Sequence, residues 1–255
     1  MNEGTYEDKE YWDNLRKSRD YYVEERVVTE GIDGEDEFDF KILNAVVGKI
    51  VLDVGCGLGE FTLRIAERAK EVVGVDFSEE AFLRACKNLS VSAKKTHCRF
   101  EVADAGKLPF SARSFDIVVS RRGPVTDNEG YLSEAHRVLK KSGTLMEITI
   151  GEKDKANIAG IFGRGQMFTV KANVAFSKRR MLVAAGFRAI ETRDYLATEI
   201  FESMRDLLIR LNSAPIIPNF DAKRDREYLE LVEERCRTNR GIETEVHRVT
   251  IVASK

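Results

Sequence analysis

The sequence is poor in the residues that build metal sites, disulfide frameworks and membrane spans. It has four cysteines and three histidines in 255 residues. The cysteines show no C-x-x-C pair and no metal-like spacing with histidine; they are Cys56, Cys86, Cys98 and Cys236. No run of about 18 apolar residues is present, and the acidic, aromatic first twenty residues do not have the pattern of a secretory signal. These absences predict a cytoplasmic protein with no metal centre and no membrane contact.

A large excess of charge of one sign is also absent. The net charge is −2 although charged residues make up 33% of the chain, and this balance argues against a large nucleic-acid footprint. Apolar residues make up 43%, which is enough for a substantial core. One α/β domain with additions is the default expectation.

The most informative stretch is an apolar strand, residues 51–54, that runs directly into three glycines at alternate positions. These are Gly55, Gly57 and Gly59, and a helical pattern of apolar residues follows them at once. Glycine suits such a turn because a side chain would keep the backbone away from a ligand, and because the turn often needs a positive φ. A strand, a glycine turn and a helix in this order predict a nucleotide site.

The residues around the turn indicate which nucleotide binds. A dinucleotide fingerprint reads G-x-G-x-x-G/A, with the pyrophosphate at the helix N-terminus. In this chain the sixth position is Glu60, and Asp53 stands just before the turn. Two carboxylates repel a pyrophosphate and suit a ligand with positive charge. S-adenosylmethionine, which has a sulfonium, an ammonium and no phosphate, fits this pattern.

At these residues the chain resembles the class I (Rossmann-like) S-adenosylmethionine-dependent methyltransferases, whose first motif reads as an aspartate, two residues later a glycine, and then G-x-G. It is most similar to the small-molecule type found in ubiquinone and menaquinone biosynthesis. The resemblance implies an α/β fold with a seven-stranded, mostly parallel sheet, an antiparallel last strand and helices on both faces. An N-terminal helical extension and a helical insertion before the last strand complete the expected fold.

Further cofactor contacts are expected at the ends of the next strands. Asp76 ends an apolar strand about 20 residues after the turn, where a carboxylate accepts hydrogen bonds from a ribose diol. Phe77 either stacks on the adenine or packs in the core. The resemblance adds Asp104, Ala105 and Ser120. The predicted cofactor-binding residues are Asp53, Gly55, Cys56, Gly57, Gly59, Asp76, Phe77, Asp104, Ala105 and Ser120.

Four residues are candidates for contact with the methyl acceptor. Tyr11 and Tyr22 belong to the aromatic N-terminal segment, where a ring near a sulfonium stabilises it by cation–π attraction; packing against the sheet is the alternative. Arg121 and Arg122 follow the fourth strand, and adjacent guanidinium groups suggest an anionic acceptor. A surface role, or a role on the cofactor carboxylate, is equally open for one of the pair. No histidine is placed as a general base, and no catalytic residue is predicted.

The pattern of elements divides the chain into four parts. Residues 1–45 are predicted to form a helical cap, and residues 46–195 the cofactor-binding core with a lid-like insertion at 151–177. Residues 196–240 are predicted to form a helical insertion, and residues 241–255 the last strand of the core. The oligomeric state is left open.

Methyl transfer from S-adenosylmethionine to a small organic acceptor is the leading functional hypothesis. Methylation of RNA or protein is the main alternative, since Arg121, Arg122 and residues 178–180 would form a basic rim. A cofactor-binding protein without catalysis is a second alternative. A nicotinamide oxidoreductase is disfavoured by Glu60.

Overall fold

The computed structural model describes residues 8–17, 23–92, 97–123, 129–165 and 173–255. Its helices, in chain order, are α1 Lys9–Lys17, α2 Glu35–Ala45, α3 Glu60–Ala66, α4 Glu79–Val91, α5 Glu129–Val138, α6 Ala156–Phe162, α7 Val174–Ala184, α8 Met204–Ser213 and α9 Arg226–Cys236. Its strands are β1 Val27–Gly31, β2 Ile50–Val54, β3 Glu71–Asp76, β4 Cys98–Val102, β5 Phe115–Arg121, β6 Leu139–Ile150, β7 Arg188–Phe201, β8 Arg237–Thr238 and β9 Gly241–Ser254.

The strands form one mixed sheet in the order β1-β7-β9-β6-β5-β2-β3-β4, with β8 paired to β9. β2 pairs in parallel with both β3 and β5, β3 with β4, and β5 with β6. The predicted α/β class and mostly parallel sheet are therefore confirmed. Among the described residues the sheet has nine strands rather than the predicted seven, because β1 adds antiparallel to β7 and the two-residue β8 to β9.

The last strand runs against β6. Lys255 N donates to Gly143 O at 3.0 Å, and Gly151 N donates to His247 O at 2.9 Å. Position numbers rise along β6 as they fall along β9, which is the signature of antiparallel neighbours. The expected direction of the last strand is thus confirmed.

The chain divides into two compact units, and the larger comprises residues 34–149, 175–193 and 249–255. Its strands are near-continuous apolar runs, as expected for parallel strands covered on both faces. One core cluster packs α2, α3 and α4 against the sheet through residues such as Ile42, Ile65, Ala85, Ile117 and Ile148. This unit contains the glycine turn and the carboxyl ends of β2, β3, β4 and β5.

The other unit comprises residues 1–33, 150–174 and 194–248. α6, α8 and α9 share an apolar core, in which Leu207 and Leu211 of the predicted helical insertion are buried. α8 ends at Ser213, shortly before Pro215, which cannot continue a helix. Residues 156–162, predicted only as part of a lid-like stretch, form α6.

A buried ionic network also stabilises this second unit. Lys155 Nζ donates to Glu199 Oε2 at 2.7 Å, and Arg210 pairs with both Glu199 and Glu25. Burial alone would raise the pKa of Glu199. The positive charges of Lys155, Arg210 and Arg248 outweigh this effect and hold the pKa at about 2. The charges in this core are therefore paired rather than isolated.

Candidate functional site

The three glycines form a tight turn between β2 and α3. Their φ angles are 73° at Gly55, 56° at Gly57 and 77° at Gly59, a region that other residues rarely adopt. The amides of Gly55 and Cys56 both donate to Val75 O, at 2.8 and 3.0 Å, so the start of the turn is fixed to β3. The turn has the conformation predicted from its sequence.

Phe100 lies beneath the turn and excludes side chains from it. A Cβ at Gly59 would overlap the Phe100 ring, and a Cβ at Gly74 would lie 2.6 Å from it. From the opposite side, Asn88 of α4 donates to Leu58 O at 3.0 Å. The turn is thus held by packing as well as by its own hydrogen bonds.

Asp76 ends β3 next to the turn. Its Oδ2 accepts from Gly57 N at 2.9 Å, and its Oδ1 accepts from Ser78 N at 3.0 Å. A carboxylate oxygen has more than one lone pair and can accept more than one hydrogen bond. The structure places Asp76 against the glycine turn, as the sequence predicted, although it is only 5% exposed.

The side chain of Asp53 is buried more deeply than a direct contact with a ligand requires. It is 2% exposed and accepts a 2.6 Å hydrogen bond from Thr62 Oγ1 of α3. Burial raises its pKa to about 6, and the negative charge of Asp76 adds to this, while Thr62 and Arg121 act in the opposite direction. The ionised carboxylate is therefore poorly compensated, and a cation bound nearby would stabilise it.

The remaining predicted cofactor residues line the same strand ends. Phe77 is half-buried, whereas Asp104 is exposed and accepts from Gly106 N at 2.8 Å in an Asx turn. Ala103 N donates to Asp76 O at 3.0 Å, which joins the ends of β3 and β4. Cys56 carries a half-buried thiol in the glycine turn and forms no disulfide bond with the other described cysteines.

Ser120 lies at the end of β5 and is 1% exposed. Its side chain interacts with that of Tyr131 of α5. A Cβ at Gly123 would overlap both Ser120 Oγ and Val54 O, so the backbone after β5 approaches the first residues of the glycine turn closely. This approach brings Ser120 and the glycine turn into one site.

Arg121 and Arg122 both interact with α2. Arg121 donates from Nε to Asp39 Oδ1 at 2.7 Å and from Nη2 to Glu35 Oε2 at 3.0 Å. Arg122 Nη1 lies 3.4 Å from Glu35 Oε1, and Arg64 donates to Asp39 Oδ2 at 2.8 Å. The guanidinium charges predicted to meet an anionic acceptor therefore already face two carboxylates.

The two tyrosine candidates belong to the N-terminal part of the chain. Tyr11 belongs to α1 in the other compact unit, where burial raises its pKa to about 12. Tyr22 lies outside the described residues. The histidines are structural where the structure describes their contacts: His136 packs edge-on against Phe187, and His247 Nε2 lies 3.0 Å from Asp194 Oδ1.

The described part of the chain has neither a metal-binding cluster nor a helix that could cross a membrane. No cluster of three or more histidine, cysteine or acidic side chains is arranged to hold a metal ion there. None of the helices in those same ranges has the length and apolar character needed to cross a bilayer.

Sequence reasoning missed the ion pair between Glu147 of β6 and Lys178 of α7, whose side chains are each 4% exposed. It also missed the acidic face of α2 that meets Arg121. The sequence did carry a signal for the Glu147–Lys178 ion pair, since Glu147 interrupts an otherwise apolar run, residues 145–148. A charge in a strand covered on both faces indicates a buried partner or a ligand.

The comparisons with known proteins agree with this site. A family model described as a methyltransferase domain matches residues 46–176. The ubiquinone/menaquinone biosynthesis C-methyltransferase of Geotalea uraniireducens is 31% identical over 141 residues, which is 53% of this chain and 59% of that protein. The chain spans about half the length of the curated relatives it matches.

Solved structures show the same fold. The YcgJ protein of Bacillus subtilis superposes with a TM-score of 0.67 at 18% identity, over 87% of this chain and 99% of that one. Phosphoethanolamine N-methyltransferase 2 of Haemonchus contortus, solved with phosphomonomethylethanolamine and S-adenosylhomocysteine, gives 0.55 at 19% identity, over 87% of this chain and 53% of that one. At these identities the likeness concerns the fold alone. Because the family model covers half of the sequence and includes the glycine turn, the chain belongs to the methyltransferase-domain family.

Proposed function

We propose that this protein transfers a methyl group from S-adenosylmethionine to a small organic acceptor. The observation that carries the proposal is the chemistry around the glycine turn. Asp53 and Asp76 lie at the ends of adjacent strands, and Asp104 follows the next one. The buried carboxylate of Asp53 favours a cationic ligand without phosphate, while Asp76 suits the ribose of an adenine nucleoside.

The residues present fit that cofactor. Gly55, Gly57 and Gly59 leave the backbone open for close approach, and Asp76 offers oxygens to a ribose diol. The poorly compensated charge of Asp53 suits a ligand with positive charge. Asp104 and Ala105 are proposed to face the adenine, and Ser120 the methionine end.

S-adenosylmethionine supplies an electrophilic methyl group on a positively charged sulfur. The chain itself orients the reactants. The turn is fixed to β3 by the hydrogen bonds to Val75 O. The segment after β5 can lie close to Val54 because Gly123 has no side chain. Such positioning is a major source of rate enhancement in bimolecular reactions. No metal is required by this scheme.

The acceptor is proposed to be a small aromatic molecule with hydroxyl groups. Several relatives are named for methylation of demethylmenaquinone or of ubiquinone and menaquinone precursors. The ion pairs of Arg121 and Arg122 with α2 support an uncharged acceptor, because they neutralise the two cations nearest the end of β5. Contacts of Tyr11, Tyr22, Arg121 and Arg122 with the acceptor stay predictions, as do the domain boundaries and the cytoplasmic location.

Isothermal titration calorimetry tests the proposal. We expect S-adenosylmethionine and S-adenosylhomocysteine to bind the purified protein and NAD⁺ to give no heat of binding. The proposal would be contradicted if NAD⁺ bound tightly and neither S-adenosylmethionine nor S-adenosylhomocysteine bound. Salt-sensitive binding to RNA would favour the alternative acceptor class.

A further inference from the structure

Glu147 is a buried carboxylate in the strand that neighbours the end of β5. It is 3% exposed, and it is in register with Ser120 in the parallel pair β5–β6. Registered residues in neighbouring strands project from the same face of a sheet. Glu147 and Ser120 therefore lie side by side at the carboxyl ends of the two strands.

The carboxylate of Glu147 is only half satisfied. Oε1 accepts a 2.9 Å hydrogen bond from Lys178 Nζ, whereas Oε2 has no hydrogen-bond partner among the described residues. A buried carboxylate oxygen without a donor is costly. Oε2 therefore keeps its lone pairs for another donor.

A polar neighbourhood surrounds this oxygen. Tyr131 of α5 is 1% exposed; burial, and after it the negative charge of Glu147, raises the pKa of its phenol well above the usual range. The Ser120 side chain also interacts with the Tyr131 phenol and acts on its pKa in the opposite direction. Ser120, Tyr131, Glu147 and Lys178 thus form a buried polar cluster, here called the β5–β6 cluster.

The β5–β6 cluster adjoins the predicted cofactor site. Arg122 N donates to Ile148 O at 2.8 Å, one residue beyond Glu147. The next residue, Gly123, is in contact with Ser120 and with Val54 at the start of the glycine turn. Glu147 consequently lies next to the strand end that carries Ser120 and Arg121, for which contacts with the cofactor and the acceptor are predicted.

We propose that Oε2 of Glu147 accepts a hydrogen bond from a hydroxyl group of the methyl acceptor. The assignment rests on the proposed function and adds the chemical group by which the acceptor is recognised. A carboxylate rejects carboxylate and phosphate groups and selects a hydrogen-bond donor. A phenolic hydroxyl held there is polarised towards ionisation, which makes its aromatic ring a better nucleophile. Glu147 is thus a substrate-binding residue, and Lys178 keeps its charge in place.

A stable phenol, 1-naphthol, tests the proposal without methyl transfer. With S-adenosylhomocysteine present, we expect the wild-type protein to bind 1-naphthol about tenfold more tightly than 1-methoxynaphthalene, which cannot donate, the difference expected of a charge-assisted hydrogen bond. The double variant Glu147→Gln/Lys178→Met removes both buried charges together and should lose this discrimination. If wild type and variant preferred 1-naphthol over 1-methoxynaphthalene equally, the proposal would be overturned. A buried water would then be the donor to Oε2.

A matched control exists at the other end of the same strand pair. Asp116 Oδ1 accepts from Lys140 Nζ at 2.8 Å near the starts of β5 and β6. The variant Asp116→Asn/Lys140→Met should keep the full preference for 1-naphthol, and its loss there would also overturn the assignment.

A second readout needs only the wild-type protein. Excited 1-naphthol transfers its proton to water or to a nearby base, so a bound probe that is shielded from solvent should keep its naphtholate emission only if a base such as Glu147 accepts the proton. Emission from the neutral form alone would contradict the proposal even if the double variant fails to fold. Failure of the proposed function is distinguishable, because S-adenosylhomocysteine would then give no heat of binding to the wild type.

Discussion

Arg121 Nε donates a 2.7 Å hydrogen bond to Asp39 Oδ1, while Arg64 donates to the other oxygen of the same carboxylate at 2.8 Å. The two guanidinium groups also lie 5.1 Å from the ring centre of Phe61. Asp39 therefore ties α2 to the end of β5 and to α3. The side chain of Asp39 is 5% exposed, whereas Arg64 is 53% exposed, so solvent weakens part of this arrangement.

Replacement of Asp39 should destabilise the protein. In Asp39→Asn the two arginines lose their shared counter-ion, and Arg121 is half-buried, so we expect a loss of about 1 to 3 kcal/mol in the free energy of unfolding. Urea denaturation measures it. Asp36→Asn, an exposed position on the same helix, is the control and should change stability by less than about 0.5 kcal/mol. Equal stability of the two variants would show that Asp39 has no such role.

Asp76→Ala should weaken the binding of S-adenosylhomocysteine by about 10- to 100-fold, because charge-assisted hydrogen bonds to a ribose are lost. Calorimetry gives the dissociation constant. Asp76→Asn, which keeps one oxygen for Gly57 N, should lie between wild type and alanine. An affinity within twofold of wild type for Asp76→Ala, in a folded protein, is the result that would remove Asp76 from the site.

Replacement of Asp53 should increase the stability of the folded protein but weaken the binding of the cofactor. Its pKa in the folded protein is about 6, against about 3.9 in an unfolded chain. The folded state therefore binds the proton more tightly, and its stabilising contribution, complete below about pH 4, is lost as pH rises through 6. At pH 7 Asp53→Asn should raise the free energy of unfolding by roughly 1 to 3 kcal/mol and weaken S-adenosylmethionine binding.

Urea denaturation at a series of pH values checks the sign. The difference between Asp53→Asn and wild type should grow between about pH 4 and 6 and stay constant above that range. Thr62→Val removes the hydrogen bond that opposes the raised pKa, so it should destabilise the protein at pH 7. A difference independent of pH would mean that Asp53 is ionised normally in the folded state.

Two glycine-to-alanine substitutions should change the stability of the protein in opposite directions. At Gly59 φ is 77° and an added Cβ would meet Phe100, so Gly59→Ala is expected to cost about 1 to 3 kcal/mol. At Gly160 of α6 an added Cβ meets nothing within 4 Å, and alanine should stabilise the helix by up to about 1 kcal/mol. Thermal unfolding followed by circular dichroism compares them; a neutral Gly59→Ala would contradict the strained turn.

The sheet and the glycine turn were predictable because local sequence determines them. Apolar runs specify the buried parallel strands, and Gly55, Gly57 and Asp76 lie within 22 residues of one another. β1 was not predicted, since its pairing partner, β7, is about 170 residues further along the chain and its own residues are mostly exposed.

The side-chain contacts of the candidate site were harder to predict. The sequence marks Arg121 as a charge near the site, but its partners Glu35 and Asp39 come from a helix more than 80 residues earlier. Glu147 and Lys178 likewise meet only after folding, across 31 positions. Such pairs depend on tertiary packing, for which a single sequence holds no periodic signal.

The contact of one aromatic ring with two glycines has an evolutionary consequence. Phe100 excludes a Cβ at Gly59 and at Gly74 alike, and Gly74 has no positive φ of its own. Position 74 is therefore glycine because position 100 is phenylalanine. In related sequences the two positions should covary, and a smaller residue at 100 should open position 74 to alanine before it opens position 59.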